Sequence, residues 1–294
     1  MTVIVLKNID FQGVSANNGM MVLGYPAMTA FNGLAHHVVR SYRKLFADET
    51  AKLLRFHVVH HDGSIRKHGF RVTNKRSINA GRKVERGERS DMNFTPQMQP
   101  GAQADIRASV VIEVALEPGI AMRARLMPDL CSILAPNGLG GRAVQDGSSS
   151  IAIVDGVEEA LTGLPGGWLL VDQTSALFDG RAADPLDRMI DMLEAEISRE
   201  PSERRQLLPT TVGFRAITDG ASRKGSRDAT ADHYFAEPIL GLAEFVRSYA
   251  ARNAFGDHWI DRAAWKPVID RAAGQFFVRQ SDLAGSRTPT GTNI

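Results

Sequence analysis

The stretch on which the fold depends is Leu53-Leu54-Arg55-Phe56-His57-Val58-Val59-His60-His61. It is largely apolar and predicts a β-strand. A second apolar stretch, Ala108–Leu116, predicts another strand. Between them the chain loses its apolar pattern, so residues 62–107 are predicted to form an inserted arm or hairpin. Such an insertion costs little, because the entropy of loop closure grows slowly with loop length.

The insertion is the most basic part of the chain. Between Ile65 and Arg89, nine Lys and Arg stand against two Glu, so this window carries +7 and the remaining chain carries −5. Clustered cations release counterions from a phosphate backbone, which indicates nucleic-acid binding. Phe70 and Phe94 could stack on bases. The alternative is a solvated charged loop. The cations expected to bind phosphates are Arg66, Lys67, Arg71, Lys75, Arg76, Arg82 and Lys83.

A glycine-rich loop is the second candidate for phosphate contacts. It consists of Asn137, Gly138, Leu139, Gly140, Gly141 and Arg142. Because glycine has no Cβ, backbone N–H groups in such a loop can approach a phosphate closely. The spacing matches neither the Walker motif nor the dinucleotide-binding motif, so a plain turn is the alternative.

Strands and helices are interleaved over the rest of the chain, which predicts an α/β or α+β architecture with one body over residues 1–280. Further strands are predicted at Val3–Leu6, Gly167–Asp172, Val212–Ile217 and Gln275–Val278, and helices at Pro26–Phe46, Pro118–Met127, 184–200 and Pro238–Tyr249. Asp184 is the predicted N-cap of the third helix, and Pro185 suits its first position. The predicted buried stripe of that helix is Leu186, Met189, Ile190, Leu193 and Ile197.

Composition excludes several classes of protein. The chain has 294 residues, 43% hydrophobic and 23% charged, which excludes collagen-like, coiled-coil and wholly disordered proteins. Its one cysteine, Cys131, excludes an intramolecular disulfide and a multi-cysteine zinc site. No apolar run approaches the ~18 residues of a membrane helix, and no signal-peptide pattern is present, so we expect a cytoplasmic protein. Ser, Thr, Gly and Pro dominate residues 281–294, which predicts a disordered tail.

The histidines are the candidates for acid–base or metal chemistry. On a strand, His57 and His61 share one face and His60 points to the other, so the three do not converge without a bend. No carboxylate stands at the spacing of a His-Glu-x-x-His metal site. We therefore expect no catalytic residue, no metal and no cofactor. The alternative is a metal-independent ribonuclease with His60 or His61 as general base.

Five motifs, taken in order, are similar to those of a known family. They are Leu23–His36, Ala108–Leu116, Cys131–Pro136, Leu164–Val171 and Phe235–Val246. In their content and order the chain resembles the Csy/Cas-five subunit family of type I-F CRISPR surveillance (Cascade or Csy) complexes.

The resemblance implies a ferredoxin-like, RRM-related α+β body with an inserted basic thumb hairpin and additional helices. It also implies a non-catalytic RNA-binding subunit of an antiviral-defense ribonucleoprotein, which holds the 5′ handle of the guide RNA. The implied partners are the guide RNA, a filament-forming backbone subunit and, where present, a large subunit. In family variants without a large subunit, the equivalent protein also helps to recognise target DNA.

Two further expectations concern surfaces outside the insertion. Arg40, Arg43 and Lys44 on the first helix are weaker candidates for phosphate contacts. Helices 184–200 and 238–250 are candidates for contacts with other subunits, because both are predicted to be amphipathic. Two alternatives to a non-catalytic RNA-binding subunit stay open. One is a metal-independent endoribonuclease that matures guide RNA, and the other is a protein-interaction module whose basic loop binds acidic partners.

Overall fold

The computed structural model describes residues 2–18, 22–46, 51–66, 102–115, 139, 141–144, 147–179, 184–222 and 232–280. Ten strands form one sheet in which every pairing is antiparallel, and a few helices cover it, so the architecture is α+β. The elements are β1 (Thr2–Ser15), β2 (Asn17–Asn18), β3 (Val22–Leu23), α1 (Met28–Phe46), β4 (Lys52–Ile65), β5 (Gln103–Ala115), β6 (Arg142–Val144), β7 (Ser150–Val154), α2 (Val157–Thr162), β8 (Trp168–Asp172), a 3₁₀ turn (Thr174–Phe178), α3 (Pro185–Ile197), β9 (Gln206–Ala216), β10 (Ala236–Arg247), α4 (Ser248–Phe255), a 3₁₀ turn (Gly256–His258), α5 (Trp259–Arg262), β11 (Trp265–Asp270) and β12 (Gln275–Gln280).

The first long strands form a unit in which β5 lies between β1 and β4. Both pairings are antiparallel, so β1 and β4 run parallel to each other, and α1 is the crossover between them. The β4–β5 ladder continues to Ile65↔Ala104, and the Arg66 N–H donates to the carbonyl of Gln103 at 2.7 Å. The first and last residues of the predicted insertion therefore extend the sheet, and residues 67–101 lie outside the described residues.

The remaining strands close a ring of pairings with β4. From β4 the order runs through β8, β10, β9 and β12 to β11, and Trp265 of β11 pairs back with Phe56 of β4. Trp265 is fully buried, and its Nε1–H donates to the carbonyl of Leu170 at 2.9 Å. The indole thus satisfies its one polar group inside the ring, as a buried tryptophan requires.

The two faces of the sheet carry separate hydrophobic clusters. On one face α1 contributes Phe31 and Val38, which are buried with Phe56 of β4. On the other face Val59 of β4 is buried with residues of α2, α4 and α5, including Trp259. Because successive side chains of a strand point to opposite faces, both faces of β4 are apolar in its central part.

Most of the predicted elements are confirmed. The strand at Val3–Leu6 is the start of the longer β1, and α1 spans most of Pro26–Phe46. Asp184 caps α3 as predicted, since its carboxylate accepts from the Leu186 N–H at 2.7 Å. The predicted helix at Pro118–Met127 and the predicted tail at 281–294 lie outside the described residues.

The predicted helix at Pro238–Tyr249 is wrong. Residues 236–247 form strand β10 between β9 and β8, and a helix begins only at Ser248. Short apolar runs do not distinguish a buried strand from a helix by periodicity alone. At Gly241 a Cβ would lie 2.4 Å from Thr174 Oγ1, so a close approach to the 3₁₀ turn requires this glycine.

The predicted buried stripe of α3 is also wrong in part. Met189 is buried, and Leu193 packs partly against the same small cluster. Leu186, Ile190 and Ile197 are exposed. The helix rests on one small cluster around Leu177 and Leu242 of β10, so it buries only part of its apolar face.

No helix in the described part of the chain is both long and apolar enough to cross a lipid bilayer.

Candidate nucleic-acid interface

The root of the basic insertion is built on an ion pair. The Arg66 guanidinium donates from Nε and Nη2 to both carboxylate oxygens of Asp105, at 2.8 and 2.7 Å. The Gly13 N–H donates to the same carboxylate at 2.8 Å, from a backbone with a φ of 65°. The hydrogen bonds from Arg66 and from Gly13 lower the pKa of Asp105, which stays charged. Strands β1, β4 and β5 are thereby joined at the point where the insertion begins.

The glycine-rich loop meets the same part of β1. A Cβ on Gly141 would lie 2.3 Å from the carbonyl oxygen of Gln12 and 2.8 Å from the carbonyl carbon of Gly13. Within the loop, Leu139 is buried in the core with a φ of 48°, which anchors the loop to the body. The close packing of Gly141 on β1 therefore brings the two predicted phosphate-binding segments together.

Arg142 is the exposed cation of this loop. It lies in β6 opposite Gln12, and the neighbouring Ala143 pairs with Phe11 and is buried. Because side chains alternate along a strand, Arg142 projects from the face opposite to Ala143. It makes no ion pair with a described residue.

An open depression beside the root is lined by three aspartates and one arginine. Arg107 donates from Nε and Nη2 to both carboxylate oxygens of Asp10, at 2.6 and 2.9 Å. Asp62 and Asp105 line the same depression. Since Arg66 and Arg107 are each neutralised by an aspartate, the described root carries little free positive charge.

The structure does not describe the other residues of the insertion and of the glycine-rich loop that are predicted to bind phosphates. Lys67, Arg71, Lys75, Arg76, Arg82, Lys83, Asn137, Gly138 and Gly140 lie outside the described residues. On α1, Arg40 is exposed, whereas the Arg43 Nε donates to the carbonyl of Ala51 at 2.6 Å. The side chain of Lys44 is outside the described set. Their roles in RNA binding stay predictions.

His57 belongs to a buried ionic network that the sequence did not reveal. Its Nε2–H donates to the Glu113 carboxylate at 2.7 Å, and the Arg55 Nε donates to the same carboxylate at 2.6 Å. Arg55 also pairs with Asp261 of α5. Burial lowers the pKa of His57 in spite of Glu113, whereas the hydrogen bonds hold the pKa of Glu113 below its usual value against the effect of burial. The network joins β4 and β5 to α5.

His61 is held by both ring nitrogens. Nδ1–H donates to the carbonyl of Gly166 at 3.2 Å, and Nε2 lies 2.7 Å from Ser109 Oγ. The same Ser109 hydroxyl accepts the N–H of Asn8 at 2.8 Å, so it donates to His61. Burial lowers the pKa of His61, which is neutral near pH 7. The ring therefore links β1, β5, β4 and the loop before β8.

His60 points to the other face, as predicted, and packs among aromatic rings. Its ring centroid lies 5.1 Å from that of Tyr25 and 5.4 Å from that of Phe245. Burial, together with the neighbouring His61, lowers the pKa of His60 to about 4. The Nδ1 atom of His60 has no hydrogen-bond partner among the residues that the structure describes. Within the same residues, no three His, Cys, Asp or Glu side chains form a metal site.

A stacked pair of Trp168 and Arg247 lies beside His60. Trp168 starts β8 and pairs with both His60 of β4 and Arg247 of β10. The guanidinium carbon of Arg247 stands 3.6 Å from the centroid of the indole ring. Sequence reasoning missed this pair because its members come from strands whose pairing is not visible in the sequence. Asp105 was missed for the same reason, since only the β4–β5 register places it beside Arg66.

Comparison with known proteins identifies one family. A family model described as CRISPR-associated protein (Cas_Csy2) matches residues 4–275. The match spans β1 to β12, so it covers the root of the insertion, the glycine-rich loop and the histidine strand together. No curated protein matches the chain.

Proposed function

This chain belongs to the Cas_Csy2 family of CRISPR-associated proteins, subunits of the type I-F Csy complex, and we propose that in this complex it binds the 5′ handle of the guide RNA. In this proposal the basic insertion contacts backbone phosphates, and the glycine-rich loop and Arg142 contact the handle beside its root. The chain bridges the RNA to a filament-forming backbone subunit and, where present, to a large subunit.

The observation that carries the proposal is the uneven distribution of charge. A chain that is acidic elsewhere concentrates +7 between Ile65 and Arg89, directly after a rigid root. The bidentate Arg66–Asp105 pair neutralises the first of these cations and fixes the direction in which the chain leaves the sheet. In our proposal the cations beyond the root neutralise phosphates, which supplies salt-dependent affinity.

The histidine geometry supports a binding role in preference to RNA cleavage. Both ring nitrogens of His61 are engaged, and His57 is fully buried against Glu113. His60 has a free ring nitrogen but is packed between two aromatic rings. A general base must reach the proton that it removes, and the rings of all three histidines are buried or partly buried in the described structure.

The topology supports the ferredoxin-like interpretation of the body. The neighbouring strands β4, β5, β1 and β7, with α1 crossing from β1 to β4, follow the order of a split βαβ unit. In an RRM-like body the exposed parts of such a sheet bind single-stranded RNA through its bases and backbone. In our proposal, specificity comes from unpaired bases of the handle.

The proposal is tested by expressing the full chain with its neighbouring subunits and a repeat-spacer array, followed by crosslinking and sequencing of the RNA bound to this subunit. We expect crosslinks concentrated at the 5′ end of the guide. Crosslinks spread evenly along the guide, or none, contradict the handle assignment. Incubation of the purified chain with repeat RNA tests the nuclease alternative, and cleavage that is lost in His60→Ala would establish it.

A further inference from the structure

We propose that Trp168 and Arg247 form a stacking site for one nucleobase of a single-stranded nucleic acid, beside His60 on the strand β4 that leads to the basic insertion. This inference deepens the proposed function and rests on it. Neither residue belongs to the insertion or to the glycine-rich loop, so the site adds base contacts to a surface otherwise assigned to phosphates.

The pair has the geometry of a stacking platform. The guanidinium of Arg247 lies over the Trp168 ring at 3.6 Å, and Arg247 is an exposed residue, whereas Trp168 is partly buried. Arg247 makes no ion pair with any described residue, in contrast to Arg205, which binds Glu244 of the same strand. Planar guanidinium groups stack on bases and at the same time donate to phosphate or base acceptors.

The pair is held in place before any ligand binds. Gly167 and Ser248 flank Trp168 and Arg247, and the Ser248 N–H donates to the Gly167 carbonyl at 2.9 Å. The Gly167 N–H donates back to Ser248 Oγ at 3.3 Å. A Cβ on Gly167 would lie 2.6 Å from the carbonyl oxygen of His60, so glycine is required where β8 meets β4. Because the backbone is already fixed, less conformational entropy is lost when a base binds.

The position of the pair connects it to the insertion. The β4–β8 pairing ends at His60↔Trp168, and β4 continues beyond it toward Arg66. Six residues of extended strand separate His60 from Arg66, roughly 20 Å. A single strand of a few nucleotides spans this distance, and in our proposal one base stacks on Arg247 while the strand continues toward the insertion.

The chain offers a matched control pair. Arg252 also lies over a tryptophan, Trp259, but at 6.0 Å and with an ion pair to Glu158. Trp259 is buried, and so is Trp265, so Trp168 is the accessible one of the three tryptophans of the chain. Quenching of intrinsic fluorescence by a stacked base therefore reports on Trp168.

The test compares the binding of oligo(rA) 12-mers, oligo(dA) 12-mers and an abasic ribose-phosphate 12-mer to the full chain. We expect oligo(rA) to bind more tightly than the abasic strand and to quench tryptophan fluorescence. Arg247→Lys keeps the charge but removes the plane, and Trp168→Ala removes the platform. Each is expected to reduce the ratio of the two affinities about five-fold or more, whereas Arg252→Lys leaves it unchanged. Oligo(dA) shows whether RNA or single-stranded DNA is the preferred source of the base.

The outcomes separate this inference from the proposed function. If the wild-type chain binds oligo(rA) and the abasic strand equally, or if Arg247→Lys and Trp168→Ala leave the ratio unchanged, the stacking site is wrong and RNA binding stands. If the wild-type chain binds no strand at all, alone or in its complex, the proposed function fails and the stacking site falls with it. Arg247 is exposed, so its lysine variant is expected to fold even if Trp168→Ala does not.

Discussion

Arg66 binds Asp105 through two parallel hydrogen bonds, and the same carboxylate accepts the N–H of Gly13. The first cation of the basic insertion is therefore already neutralised by the body of the protein. Three strands meet at this carboxylate. In the proposed function the pair positions the insertion, and the remaining cations supply its affinity for a polyanion.

Asp105→Asn is expected to increase the affinity for single-stranded RNA a few-fold at low salt. The amide still accepts from Gly13, but the negative charge beside Arg66 is lost, and Arg66 becomes available to a phosphate. The free energy of unfolding is expected to stay close to that of the wild type, because exposed ion pairs contribute little. Binding titrations at several salt concentrations measure the effect. Asp187→Asn on α3 makes the same change of charge far from the root and serves as the control; equal effects of the two variants would count against the assignment.

Glu113→Gln is expected to lower the free energy of unfolding by about 2–4 kcal/mol, because it leaves the buried end of Arg55 without its carboxylate. Denaturant unfolding measures the difference. Glu158→Gln removes the partner of Arg252 at an exposed ion pair and is expected to change stability by less than about 1 kcal/mol. A Glu113→Gln protein as stable as the control would show that the buried network contributes nothing.

The stability of the protein is expected to fall as the pH drops from about 6.5 to 4. His60 has a pKa lowered to about 4, and burial lowers the pKa of His57 and of His61 as well. In this pH range the histidines of the unfolded chain bind protons, whereas those of the folded protein stay neutral. The stabilisation is therefore complete above pH 6.5 and is lost below it. For His60 alone the loss is on the order of 1–3 kcal/mol. His60→Gln is expected to flatten this part of the pH profile of unfolding; an unchanged profile would exclude His60 as a contributor.

Gly141→Ala is expected to destabilise the protein by about 2 kcal/mol or more and to weaken RNA binding. Its Cβ would overlap the backbone of Gln12 and Gly13, so the glycine-rich loop must move away from the root. Thermal unfolding and RNA titration measure the two effects. Gly147→Ala is the matched control, since nothing lies within 4 Å of its Cβ position, and it is expected to behave like the wild type.

Much of the sheet could be predicted from the sequence because its central strands are apolar on both faces. The predicted strand Val3–Leu6 is part of β1, but it ends at Leu6, whereas β1 continues to Ser15. Asn8 with a φ of 56° and Gly13 with a φ of 65° accompany shifts of register, and these irregularities hide the continuation through Ile9, Phe11 and Val14. A pattern of period two does not survive such bulges.

The elements of the second half were harder to predict because tertiary context decides them. Pro238–Tyr249 has the spacing of an amphipathic helix, yet its apolar side chains fill the space between β9 and β8 as a strand. In the site, the sequence predicted the basic insertion and the glycine-rich loop. It could not predict their meeting at Gln12–Val14 or the contacts of Asp105, Glu113 and Trp168, because long-range strand register creates them.

The most direct test of RNA binding through the insertion is the salt dependence of affinity for a single-stranded RNA, measured on the full chain. The comparison is between the wild type and a variant in which Arg71, Lys75, Arg76 and Arg82 are changed to Glu. We predict weaker binding and a slope of log affinity against log salt that is smaller by about three units. One phosphate contact is lost for each of the four reversed cations, and each contact to a single strand contributes roughly 0.7 to the slope. The same affinity and the same slope in both proteins would contradict the account.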